Sequence, residues 1–66
     1  MIIESLYEEI YHGYLIEIDR DTFGEVTLTV SLPDGTVIYS EDGDDGIENA
    51  RQVILDRLEV NYGYRA

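Results

Sequence analysis

Glu17, Asp19 and Asp21 recur at every second position, and Glu41, Asp42, Asp44 and Asp45 crowd a second short segment. Two residues of a strand span about 6.6 Å, a spacing comparable with that of neighbouring phosphates along a nucleic-acid strand. Carboxylates so placed, with Glu25 beside them, suit the replacement of phosphates against a basic protein surface. Other chemistry finds less material. His12 is the only histidine, and a catalytic base needs an oriented partner and a nucleophile within reach. Ser5, Ser31 and Ser40 read as a helix cap, a strand face and a strand end, and no Gly-x-Ser-x-Gly surrounds them. Carboxylate acid–base pairs need a cleft that raises one pKa, and 66 residues leave little chain to build one.

A calcium loop also fails on its own pattern. Aligning Gly24 with the loop's glycine puts Asp19 and Asp21 at positions one and three, but Phe23 at five and Val30 at twelve. Aligning Gly46 puts Gly43 at three and Gln52 at twelve. No glycine-rich phosphate loop occurs, and the chain's charge would repel a phosphate. With no Cys there is no thiol chemistry, disulfide or Cys-based zinc site. The expectation is a chain with no catalytic residue, no metal and no cofactor, not an enzyme.

Fifteen acids stand against four bases, all Arg, for a formal net charge of −11. Such a chain lacks the cations that replace counterions on phosphate, so direct nucleic-acid binding is not expected. An anionic membrane surface is excluded in the same way, and no apolar stretch approaches the ~20 residues of a membrane span. No basic leader region opens the sequence, and a disulfide-free fold suits the cytoplasm. Charge is also sorted along the chain. Residues 1–50 hold 13 acids and one base; residues 51–66 hold two acids and three bases. The alternative reading is that the acids keep a small protein soluble; against it stands the cost, since a charge of this size destabilises the compact state by self-repulsion. Asp44 and Asp45 also suit a helix N-terminus. Six tyrosines add rings with polar tips, common at interfaces. Tyr7, Tyr14 and Tyr39 are expected partly in the core, and Tyr11, Tyr62 and Tyr64 at an interface.

The elements that must position these residues follow from periodicity. Apolar residues at 3, 6, 7, 10 and 14 keep helical spacing. Ser5 and Glu8 have capping-box spacing, and Gly13 suits a helix end; a short helix over 5–12 is expected, with a strand from Met1 as the competing reading. Residues 14–19 alternate, with Tyr14, Ile16 and Ile18 on one face. Asp21-Thr22-Phe23-Gly24 signals a turn. Residues 25–32 alternate without a fault, turning Val26, Leu28, Val30 and Leu32 to the core. Pro33-Asp34-Gly35 signals a hairpin. A bulge at Gly35 pairs Leu32 with Thr36 and Val30 with Ile38; a tight two-residue turn pairs Val30 with Tyr39 instead. Pro33 favours the bulged form. After an acidic loop, Asp45 and Glu48 form a second capping box. A helix over 46–61 then buries Ile47, Ala50, Val53, Ile54 and Leu58, and leaves Glu48, Gln52, Asp56 and Glu59 in water. The fold class is α+β, one domain over 1–66: a short N-terminal helix, a three-stranded antiparallel meander and a C-terminal helix packed on one sheet face. The other sheet face carries Glu17, Asp19, Glu25 and the threonines.

In size, acidity and tyrosine content the chain resembles the small acidic inhibitors made by phages, among them DNA-mimic and anti-CRISPR proteins. That resemblance implies binding to the basic nucleic-acid surface of a host enzyme. Residues 14–59 are also similar to HicB-type antitoxins. The similarity lies in the order strand, strand, Leu32-Pro33-Asp34-Gly35, strand, Gly43-Asp44, then Glu48-Asn49-Ala50-Arg51 and Ile54. It implies a small sheet-and-helix core that neutralises an RNA-cleaving toxin. The family's longer segment between Gly-Asp and Glu-Asn-Ala is short here and its DNA-binding domain does not follow, so autoregulation does not carry over. The leading expectation is a non-enzymatic acidic inhibitor, monomer or homodimer, that binds the nucleic-acid-binding surface of a basic partner protein. Its binding residues are Glu17, Asp19, Asp21, Glu25, Glu41, Asp42, Asp44 and Asp45, with Tyr11, Tyr62 and Tyr64. The alternatives are a HicB-like antitoxin core and a small structural or interaction subunit.

Overall fold

Tyr11 and Tyr14 face each other across His12 and Gly13, and that two-residue turn decides the N-terminal half of the fold. In the computed structural model, which describes residues 3–61, His12 has φ 51° and Gly13 φ 86°. Two successive positive φ values make a turn whose twist matches a β-hairpin. The expected N-terminal helix is therefore replaced by a strand, β1 (Glu4–Tyr11), antiparallel to β2 (Tyr14–Arg20). Gly13 does adopt the left-handed conformation expected of it, but it closes a hairpin instead of a helix. The physical reason lies with Leu6. It is an inserted residue, since Ser5 pairs with Asp19 and Tyr7 with Ile18. This bulge breaks the period of two and gives the apolar positions a helical spacing. With β3 (Val26–Ser31) and β4 (Val37–Asp42), the sheet is a four-stranded meander in the order β1-β2-β3-β4, not a three-stranded one.

The two remaining hairpins share one turn design. Gly24 N–H donates to Asp21 O and Asp21 N–H to Glu25 O; Gly35 N–H donates to Leu32 O and Leu32 N–H to Thr36 O. Each is a turn followed by a glycine at positive φ (Gly24 86°, Gly35 95°), a form in which glycine carries no steric cost. At Pro33 the bulged form is the one adopted, and Leu32 meets Thr36 as expected. Val30, however, pairs with Tyr39 and not with Ile38, because a second irregularity follows between Val30 and Ser31. The inserted Ile38 lets two consecutive residues, Ile38 and Tyr39, pack against the core. Glu25 lies outside β3, in the turn, so it is not part of the sheet face.

The helix α1 (Ile47–Asn61) covers one sheet face. Gly46 precedes it as the capping residue, its carbonyl accepting the Ala50 N–H; the Asp45–Glu48 capping box does not form. Ile16, Ile18, Leu28 and Val30 from the two central strands meet Ala50 and Ile54, and all six are 2% exposed or less. Burying a side chain of the Val, Leu or Ile class contributes about 1.5–3 kcal/mol. Tyr14 closes one end, and Tyr7, Tyr11, Val26, Leu32, Ile38, Tyr39, Ile47 and Leu58 pack around the rim. Val53 is half-buried, and Glu48, Gln52, Asp56 and Glu59 lie in solvent as the stripe requires.

Candidate docking face

The sheet face opposite α1 has no covering layer among the described residues. Strand pairing orders its side chains in rows. The middle row runs Glu8, Glu17, Thr29, Ser40, and the next row Ser5, Asp19, Thr27, Asp42. The row near the Tyr11–Tyr14 turn is Ile10, Leu15, Ser31, Val37, and Ile10 and Val37 are well exposed. The face thus offers four carboxylates, a floor of hydroxyls and an apolar border. Strand alternation puts no Arg on it among the described residues.

Glu8 stands directly opposite Glu17. Like charges so placed are destabilising. Burial holds the Glu17 carboxyl above its usual pKa, and Asp19 and Glu8 add repulsion in the same direction. On the covered side Glu9 is paired. Arg51 of α1 reaches across to Glu9 of β1 with Nη2–Oε1 at 2.9 Å and Nε–Oε2 at 3.1 Å, and its guanidinium lies 5.5 Å from the Tyr11 ring centroid. The Arg51 hydrogen bonds lower the Glu9 pKa, and the Tyr7 hydroxyl, which donates to the same carboxylate, lowers it further. At the sheet's far end Arg20 is held by Glu4 at 2.7 Å.

The acids singled out in the sequence therefore divide. Glu17, Asp19 and Asp42 share the open face. Asp21 and Glu25 lie in the β2–β3 turn, where Asp21 Oδ1 accepts the N–H groups of Phe23 and Glu25. Asp44 and Asp45 are exposed in the loop before α1. Glu41 is on the covered side, half-buried; it accepts the Tyr39 hydroxyl and lies so close to Gly46 that a Cβ there would collide with its carboxylate. Tyr11 is packed against the core and Arg51. Tyr62 and Tyr64 lie outside the described residues. Sequence reasoning missed Glu8 by assigning it to a helix cap. Reading His12-Gly13 as a hairpin turn would have placed Glu8 opposite Glu17.

His12 is exposed at the turn, its ring edge-on to Tyr11 at 4.6 Å. Among the described residues no three His, Asp or Glu side chains converge as a metal site, and no pocket opens. No family model, no curated protein and no solved structure matches the chain. Among the described residues no helix is long and apolar enough to cross a membrane.

Proposed function

We propose that this chain is a non-enzymatic acidic inhibitor of the phage-made type. Its open sheet face docks on the positively charged nucleic-acid-binding surface of a partner protein or enzyme. The observation that carries this reading is the Glu8–Glu17 pair, flanked by Asp19 and Asp42 on a face without cations among the described residues. A fold gains nothing from that pairing, whereas a basic partner would relieve it. Thr27, Thr29 and Ser40 add neutral hydrogen-bonding groups between the acids, and Ile10, Leu15 and Val37 add apolar contact at one border. Charge complementarity of this kind chiefly speeds encounter and rejects wrong partners. The place of action on this reading is the cytoplasm, where such enzymes meet nucleic acid.

The test is competition. The partner recovered by affinity capture at low salt is immobilised, and binding of this chain is measured with and without saturating DNA or RNA. Overlapping sites require that nucleic acid displace it. Changing Glu8 and Glu17 to Gln and Asp19 and Asp42 to Asn is expected to slow association several-fold, because charge steers encounter. The same treatment of Asp56 and Glu59, on the outer side of α1, is expected to do much less. Unchanged affinity under saturating nucleic acid would end the mimic reading and leave a binding module that acts elsewhere on its partner.

A further inference from the structure

The β2–β3 turn carries an aromatic side chain with no structural work to do. Phe23 is 85% exposed on a loop that is otherwise fully organised. The Asp21 and Gly24 N–H groups donate to backbone carbonyls, and those of Phe23 and Glu25 donate to Asp21 Oδ1 at 2.9 Å. Such a turn position favours Asn, Asp or Gly, and a bare phenyl ring there buries nothing within the chain. The turn stands at the end of the sheet where Asp19 and Asp42 lie, with Glu25 two residues on. Among the described residues the cation at that end is Arg20, and Glu4 takes it up. An exposed ring on a hydrogen-bonded turn, with Asp21 and Glu25 two residues to either side, fits a guanidinium. Arg stacks its planar, weakly hydrated head on aromatic faces while its fork meets carboxylates, whereas the Lys ammonium is compact and strongly hydrated. The fold already uses this combination internally, where Arg51 meets Glu9 and the Tyr11 ring together.

We propose that Phe23 is the anchor by which the acidic face selects an arginine-rich protein segment, its ring stacking one guanidinium while the neighbouring carboxylates hold the charge. The proposal rests on the docking reading above and names its partner chemistry. Because the turn is already hydrogen-bonded, little backbone freedom is lost on binding.

Nona-arginine and nona-lysine peptides serve as defined probes, titrated into the full chain by calorimetry at low salt. Phe23→Asn and Phe23→Leu are expected to keep the wild-type thermal midpoint, since the ring touches no core. Both are expected to weaken nona-arginine binding about two- to fivefold, the worth of an exposed cation–aromatic contact, and to leave nona-lysine binding nearly unchanged. If Phe23→Leu keeps the wild-type affinity for nona-arginine, stacking is overturned. If Phe23→Asn does too, the anchor itself is overturned. Failure of the docking reading looks different: neutralising Glu8, Glu17, Asp19 and Asp42 would then leave both peptides binding as before, whatever happens at Phe23.

Discussion

Glu17 carries the conflict between stability and binding in a single side chain. It sits half-buried among hydroxyls with Glu8 directly across, and its pKa is raised by burial first and by Asp19 and Glu8 next. A carboxyl with a raised folded pKa holds its proton more tightly in the folded state than in the unfolded chain. Its penalty is absent below the unfolded value, near 4.5, and complete once pH exceeds the folded one. Glu17→Gln is therefore expected to raise the thermal midpoint at pH 7 by about 1–5 °C, from the size of one opposed like-charge pair in a small domain. Near pH 3 the variant and the wild type are expected to melt together. The same variant should associate more slowly with a basic partner. A midpoint gain that persists undiminished at pH 3 would assign the effect to packing and remove charge as its cause.

At the level of elements, the pattern that folds as β1 is reversed at two positions, between Tyr7 and Tyr11, which pack on the core. Its charged Glu9 faces the covered side, paired with Ile16, while Ile10 faces the open side, paired with Leu15. An alternation test looks for apolar residues inward, so it fails on this strand. The Leu6 bulge then supplies apolar spacing that imitates a helix. The other elements were legible because their patterns are ordinary. β2 and β3 alternate cleanly, the Pro33-Asp34-Gly35 turn has the chemistry of its type, and the stripe of α1 buries Ala50 and Ile54 as read. The Ile38 insertion was not legible, since nothing in the local residues separates one paired position from two. Glu9 is tolerable inward because Arg51 meets it. Its pKa is lowered by the Arg51 hydrogen bonds first and by the Tyr7 hydroxyl second, so its stabilising effect is present above the ordinary value of 4.5 and lost as pH falls through the folded value. Arg51→Gln is expected to lower the thermal midpoint at pH 7, to converge with the wild type once acid pH has fallen through the lowered Glu9 value, and to speed amide exchange along β1. An equal deficit at both pH values would show that Arg51 acts by packing on the Tyr11 ring and not by its charge.

Over the whole molecule two electrostatic effects oppose each other, and their magnitudes decide the response to salt. The ion pairs Glu4–Arg20 and Glu9–Arg51 are weakened by screening, but partly exposed pairs are worth only about 0–1 kcal/mol each. Against them stands repulsion summed over a net charge of −11. Crowding does not raise every carboxylate: Glu9 and Asp34 fall, the second because the Thr36 N–H donates to it at 2.9 Å. Among the described residues only Glu4 and Glu9 meet an Arg, so the other acids, those of the open face included, stand uncompensated. Screening reaches exposed charges first, since the Debye length drops to about 3 Å in molar salt. The thermal midpoint at pH 7 is therefore expected to rise between about 0.02 M and 0.5 M NaCl, with chloride used because sulfate stabilises folds generally. Neutralising Glu8, Glu17, Asp19 and Asp42 together should raise the low-salt midpoint and flatten the response. Association with a basic partner should run the opposite way, weakening as salt rises. That opposition ties the two halves of the reading together: the charges that cost the free fold stability are those that would drive docking. A variant that gains midpoint but keeps its salt-sensitive binding would break the link and place the docking surface elsewhere on the molecule.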